Sequence, residues 1–576
     1  MRTEVAPGLA SGPLEAGAVR RSPPADSGTW ITLVCLALVG VAVLVPTVIL
    51  VHDSFVSRSA DGTATYGVVH YLKVLSSAQT WRLLWTTLAF AGAMAVLSGV
   101  LGFLFAWLAA RTNVALRRLM PVAVLLPYLI PTSLGAIGWI LLLSPTNGIL
   151  NLALQSLLGT GAPFNIYSFW GMVFVETMYT FPLSFMFFYA ALSSASSTLE
   201  EASSVCGARV LQTLLRITLP SMWPTIISVA TLLFIIGLES FDVARFIGYP
   251  ARVYVLSIQI YVLTHVEYPT DFAAASVYGV LALLVAFALV ALYRAVTREA
   301  AKFVSISGKN FRSEPFDLGG WRVPAALLFY GLVFVIGVIP TLLLVALSFN
   351  VVTWPFGVAA PSLENYLWIL SDSAALRSFL NTLFLAALGA SLTIVLTFFV
   401  AYATVRLRRR GHAALDYLAF IPFAFPATVL AVGLIEGFIR TPIYNTIWIM
   451  VIAFVVKFLP YGLRNVSGSM LQIHRELEEA SLTSGAGLLA TLRRIVLPLA
   501  LPGIVSGWSL LFVVFMRQFT LPAMLSSTDS QVATIVLFQE WEAGQVGHVA
   551  AVGCAIMALC IPFLVVARRL AGLRSI

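Results

Sequence analysis

The chain has 576 residues, of which 60% are hydrophobic and only 10% charged, with a formal net charge of +9 and a mean hydropathy of +0.94. Soluble globular proteins carry about 25% charged residues, so this composition excludes an ordinary soluble protein and requires one that crosses a membrane many times. The positive charge does not mark a nucleic-acid binder, because it clusters in alternate loops.

Residues 1–28 are rich in Pro, Gly, Ala and Ser, lack apolar periodicity, and read as a disordered cytoplasmic tail. Twelve apolar runs follow, each long enough to cross a hydrocarbon core of about 30 Å as a helix. In the first half, residues 29–296, they are Trp30–His52, Trp81–Ala110, Leu119–Leu143, Phe169–Leu192, Pro224–Gly248 and Phe272–Ala295. A basic cytoplasmic linker, residues 297–320, separates them from Val323–Phe349, Phe379–Val405, Tyr417–Phe438, Ile447–Leu463, Pro502–Leu521 and His548–Ala567 in the second half, residues 321–576. Backbone groups in lipid must be satisfied within their own segment, so the runs are predicted as helices despite their Val and Ile content. The fold class is an all-α membrane protein of about twelve transmembrane helices.

Basic residues lie before the first run (Arg20, Arg21), after the second (Arg111, Arg117, Arg118), between the halves (Arg294 to Arg312), after the eighth (Arg406 to Arg410) and after the last (Arg568, Arg569, Arg574). The positive-inside rule then places both termini in the cytoplasm. Four cysteines, Cys35, Cys206, Cys554 and Cys560, form no CxxC, and no disulfide is expected. Six scattered histidines show no metal-site spacing.

The chain repeats itself. Leu199–Pro224 and Leu477–Pro502 align without a gap at an offset of 278, sharing Leu-Glu-Glu-Ala-Ser, then Gly207 or Gly485, and Leu219-Pro220 or Leu497-Pro498. In the third run, Pro127, Pro131 and Gly138 align with Pro422, Pro426 and Gly433 at an offset of 295. The first half is therefore 17 residues longer between its third and fourth runs, where Asn147–Gly159 reads as a short amphipathic helix on the outer face. Six runs per half give both halves the same orientation, a parallel repeat about an axis along the membrane normal. The proline pairs either kink the third run of each half and free carbonyls for a cavity or are simply tolerated; the residues leave both open.

Each repeated loop reads as a helix with Glu200 and Glu201, or Glu478 and Glu479, in its first turn, where carboxylates favour the helix dipole. A glycine follows for a tight turn or a close approach, and then an apolar face of Leu211, Leu214 and Leu215. Two such elements facing the same side are docking knobs for a partner that also comes in two copies. Ionisable residues inside the runs, Glu176, Glu239, Asp242, Glu436, Lys457 and Arg517, are candidates for structural ion pairs or for the substrate path. Arg517 is Glu239 moved by 278, and Lys457 maps one helical turn from Glu176, so the expected cross-half pairs are Glu239 with Arg517 and Glu176 with Lys457. No P-loop exists, since Gly308-Lys309 is followed by Asn310 and Phe303 stands at the first-glycine position.

Glu201-Ala202-Ser203 with Gly207 and Ile217-x-Leu219-Pro220, matched by Glu479-Ala480-Ser481, Gly485 and Ile495-x-Leu497-Pro498, resembles the "EAA" loop of the membrane permease subunits of type I ABC importers, here in a fused two-half form. Both copies carry Ser where a second Ala is usual. The resemblance implies a transport subunit of the bacterial inner membrane that is not itself an enzyme. It also implies that Glu200, Glu201, Ala202 and Gly207, with Glu478, Glu479, Ala480 and Gly485, couple to two copies of an ABC ATPase. That partner would hold ATP and magnesium, this chain no cofactor, and a periplasmic solute-binding protein would deliver cargo. Pro250–Tyr261, Pro269–Ala274 and Pro145–Asn151 are similar to fused ferric-iron permeases. Permeases for thiamine, 2-aminoethylphosphonate and polyamines share the layout, and an ion-gradient-driven carrier is the alternative outside the class. The metal, if any, and its ligands stay open.

Overall fold

The structure, a computed structural model, describes residues 27–58, 64–159, 161–195, 198–300, 315–353 and 357–570. The expected tail lies outside them except for its last two residues, as does residues 301–314 of the linker. Among the described residues, nine helices are long and apolar enough to cross a membrane, or twelve when each of three bent pairs is one span. The twelve expected runs are thus nine continuous spans and three broken ones.

Two of the breaks answer the question the prolines posed. Arg117–Tyr128 and Thr132–Leu143 meet at 85°, and His412–Phe423 and Ala427–Phe438 at 105°. At each break the proline is extended, with ψ of 134° at Pro131 and 136° at Pro426. Proline offers no N–H to the preceding turn and forbids a helical residue before it, so the ladder stops there. The third break, 71° at Met222, separates Val210–Ser221 from Trp223–Glu239. That helix ends at Glu239, so the fifth span stops short of the expected Gly248, and the eleventh stops at Met516 instead of Leu521. The amphipathic segment forms a helix, Ile149–Leu158.

The halves embrace each other through their first spans. The first span, Ser27–Asp53, lies against the ninth, where a Cβ on Gly433 would meet the Pro46 carbonyl oxygen at 2.4 Å. Reciprocally, the seventh span reaches the third, where a Cβ on Gly138 would stand 2.9 Å from Pro340. The aligned glycines are therefore the points at which each half lets the other's proline-bearing helix approach.

Inside each half the same bonds recur. The Leu256 N–H donates to the Thr87 hydroxyl at 3.0 Å and the Ala533 N–H to Thr382 at 2.8 Å. The Tyr71 and Ser54 hydroxyls lie 2.8 Å apart, and Tyr366 donates to Ser348 at 2.9 Å. Where the second and fourth spans cross, the halves use the same pair of sizes in opposite order: Gly102 against Ser184, and Thr397 against Gly462. A Cβ on Gly102 would lie 1.9 Å from the Ser184 hydroxyl and 2.7 Å from the Phe185 nitrogen. Overpacking such a crossing costs about 1–3 kcal/mol. Gly102→Thr is expected to lower the thermal unfolding midpoint, and adding Ser184→Gly, which copies the second half, to recover most of the loss; a double variant as unstable as the single one contradicts this reading.

Candidate functional site

The twin loops fold as the sequence predicts. Thr198–Val205 and Arg475–Thr483 are helices, each followed by a glycine in the left-handed region, Gly207 at φ +80° and Gly485 at φ +84°. A Cβ at either position would touch nothing within 4 Å. The turn, not a close neighbour, requires glycine there. Ser203 with Thr213, at 2.9 Å, and Ser481 with Thr491, at 2.8 Å, tie each helix to the segment that follows it.

The paired glutamates divide their labour. Glu201 and Glu479 are exposed, whereas Glu200 and Glu478 are buried. Glu200 meets Arg111 at 3.2 Å and accepts the Thr218 hydroxyl at 2.6 Å; Glu478 meets Arg406 at 3.2 Å and accepts from Tyr402 at 3.5 Å. The same arginines cap the ends of the fourth and tenth spans: Arg111 donates to the Ala195 carbonyl at 3.0 Å, and Arg406 to the carbonyls of Ile473, at 2.5 Å, and Met470. Glu200 and Glu478 are thus internal fasteners, buried beneath the exposed face. Arg111 and Arg406 read in the sequence only as topogenic charges, although they stand 295 apart and their partners 278 apart, both at repeat offsets.

What remains outside is apolar. Leu199, Val205, Leu211 and Leu215 on one element, and Leu477, Leu482 and Leu489 on the other, are exposed. Ala202, Ala480, Gly207 and Gly485 share that exposed surface.

The intramembrane charges come together at the seam between halves, with partners other than those expected. Glu239 pairs with Lys457 at 2.7 Å, not with Arg517, and Lys457 also donates to the Phe425 carbonyl at 2.5 Å. Arg517 donates to the Tyr128 carbonyl at 2.5 Å. Both carbonyls lie at the proline breaks of the third and ninth spans, so the acceptors released there are taken by cations. Glu176 accepts the Ser240 hydroxyl at 2.6 Å and does not meet Lys457. Glu436 accepts from Ser276 across the seam at 3.1 Å.

The repeat axis itself passes one turn further on. Asp242 accepts from Thr520 at 3.1 Å, two positions 278 apart, and Phe241 and Phe519, also 278 apart, face each other with ring centroids separated by 5.7 Å. Residues equivalent by a twofold touch only on that twofold. Phe246 and Phe538 extend this aromatic layer around Phe519, at 5.5 Å each. Arg245 closes it from the side, 2.6 Å from Glu542 and stacked over Tyr249 and Phe538 at 4.6 Å. The helix leading from the first twin loop to this layer has 17 residues, or about 25 Å of rise, which sets the layer well away from the loops.

The binding-protein-dependent transport system inner membrane component family matches residues 98–301 and 393–573, two segments that begin 295 apart. The chain belongs to this family. It is therefore a multi-pass permease subunit of the inner membrane, and the ion-gradient carrier drops out as an alternative. The ferric transport system permease FbpB of Actinobacillus pleuropneumoniae is 27% identical over 532 residues, covering 91% of this chain and 75% of that protein. The Fe(3+)-transport system permease FbpB 2 of Haemophilus influenzae is 23% identical over 526 residues, covering 90% and 93%. The spermidine/putrescine permease PotC of Haemophilus influenzae is 26% identical over 230 residues, covering 40% of this chain and 90% of its own.

In this permease a buried charge stripped of its partner costs about 3–5 kcal/mol. Lys457→Met, which orphans Glu239 and the Phe425 carbonyl, is expected to lower the thermal midpoint more than Lys457→Met combined with Glu239→Gln. Equal loss in both variants removes the pairing.

Proposed function

We propose that this permease passes ferric iron from a periplasmic binding protein to the cytoplasm, driven by two copies of an ABC ATPase that grip the elements at Glu201 and Glu479. The observation that carries the reading is the matched pair of exposed apolar helices at one end of the bundle, each fastened from within by its own arginine. Exposed apolar surface of this kind marks an interaction site. Because Glu200 and Glu478 are locked to Arg111 and Arg406, a push on either helix moves the second and fourth spans of that half with it.

The cytoplasm lies on the side of these elements, as the arginines around them require. The aromatic layer at Phe241 and Phe519 then faces outward and is the closed outer gate. Nucleotide-driven approach of the two coupling helices would part it, and hydrolysis would let it close. ATP and magnesium belong to the ATPase; this chain contributes positioning and a path.

Iron is favoured by two lines of support. Relatives named as ferric permeases align over nine-tenths of the chain. The chain also presents two carboxylates near the axis, Glu176 and Asp242, which accept from the hydroxyls of Ser240 and Thr520, and hard cations prefer oxygen ligands. A polyamine is the second reading, supported by the likeness of one half to PotC.

Glu201→Lys with Glu479→Lys is expected to leave the spans folded and to release the ATPase from membranes, with transport lost; unchanged co-purification contradicts the coupling assignment. Vesicles holding the assembled importer should take up radiolabelled ferric iron with ATP and binding protein present, and uptake of spermidine in its place would move the cargo to polyamines.

A further inference from the structure

The loop that follows the second span is zipped to the start of the second half. Phe316 N–H donates to the Arg111 carbonyl at 2.8 Å, Asn113 N–H to Phe316 at 3.0 Å, and Ala115 N–H to Arg322 at 3.2 Å. The Asn113 amide donates to Asp317 at 2.6 Å and its oxygen accepts from the Leu318 N–H at 3.0 Å. This clasp borders an open concavity of about 470 Å³ lined by Asn113, Arg117, Arg118, Leu119, Pro315 and Arg322, among others.

Three arginines therefore line one concavity, and its surroundings are apolar. Leu116, Leu119, Trp321 and Val323 are all more than half exposed. Leu116 is held at φ +57°, a strained setting for a branched side chain, fixed by Leu119 N–H at 2.8 Å and the Tyr330 hydroxyl at 2.8 Å on its carbonyl. The clasp thus spends backbone strain to keep an apolar side chain on the surface next to the arginines. Asp317, the acid of the clasp, accepts from Asn113 and from the Gly319 N–H at 3.0 Å and also interacts with the Arg322 charge. Arg117 gives one donor to the Thr112 carbonyl at 3.1 Å, one of five that a guanidinium carries.

The position completes the argument. The second span ends at Arg111 and the seventh begins at Gly319, so the cavity sits where hydrocarbon gives way to water. Cations facing that boundary beside exposed apolar side chains match a ligand with a phosphate and acyl chains. We infer that Arg117, Arg118 and Arg322 form a binding site for the headgroup of an anionic phospholipid, which staples the two halves at their junction on the coupling side. The inference is independent of the cargo.

Native mass spectrometry of the purified full chain tests it, with phosphatidylglycerol titrated against phosphatidylcholine. The wild type should retain phosphatidylglycerol preferentially. Arg117→Gln/Arg118→Gln/Arg322→Gln should weaken retention on the order of a hundredfold, whereas removing equal charge as Arg408→Gln/Arg409→Gln/Arg410→Gln should leave it near wild type. Equal loss in both triple variants would show diffuse attraction and overturn the site, as would absence of a lipid preference or displacement by millimolar inorganic phosphate. If the triple variant fails to fold, Arg118→Gln alone, an exposed side chain, should weaken retention about fivefold, and no change there also overturns the site.

Discussion

A carboxylate buried against the end of a membrane span must be paired, and that requirement turns a surface loop into a lever. Glu200 and Glu478 satisfy it with Arg111 and Arg406, both pairs at 3.2 Å. Breaking a pair this deeply placed costs about 3–5 kcal/mol, several times what a surface ion pair contributes. Each arginine also holds the last carbonyls of a neighbouring span. Helix, loop and two spans are therefore tied into one piece by buried bonds.

The duplication supplies two such pieces and one axis. Where the halves must do the same thing, the same bonds recur at the repeat offsets: threonine to backbone, serine to threonine, arginine to glutamate. Where the halves meet, several equivalent positions differ. Glu239 is matched by Arg517, Lys457 by Tyr179 and Asp242 by Thr520. The shell is nearly twofold while the chemistry along the axis is not, a condition open to a fused chain and closed to two identical subunits.

The spans were legible because hydrocarbon thickness imposes their length, and the twin loop helices because a charged, glycine-punctuated segment recurs without a gap. Gly138 and Gly433 could be aligned, but their purpose depends on the other half's first span, which no local pattern reveals. The expected Glu239–Arg517 pair failed for a geometric reason. The offset argument assumes that equivalent residues face the axis; Phe241 with Phe519 and Asp242 with Thr520 do, whereas Glu239 is turned toward Lys457 and Arg517 toward the Tyr128 carbonyl. Arg111 and Arg406 left a readable signal, a duplicated cation matched by a duplicated anion, hidden by the two different offsets at which they recur.

The account turns on the two coupling elements approaching each other as rigid extensions of their halves. Cys206 is exposed on the first and Ser484 occupies the equivalent place on the second, so spin labels on Cys206 and Ser484→Cys, with the other three cysteines replaced, report their separation by double electron–electron resonance. In the complete importer, a non-hydrolysable ATP analogue should shorten that distance in a single step, and Arg111→Met should broaden its distribution. A separation that stays constant with nucleotide while cargo still crosses would contradict the account.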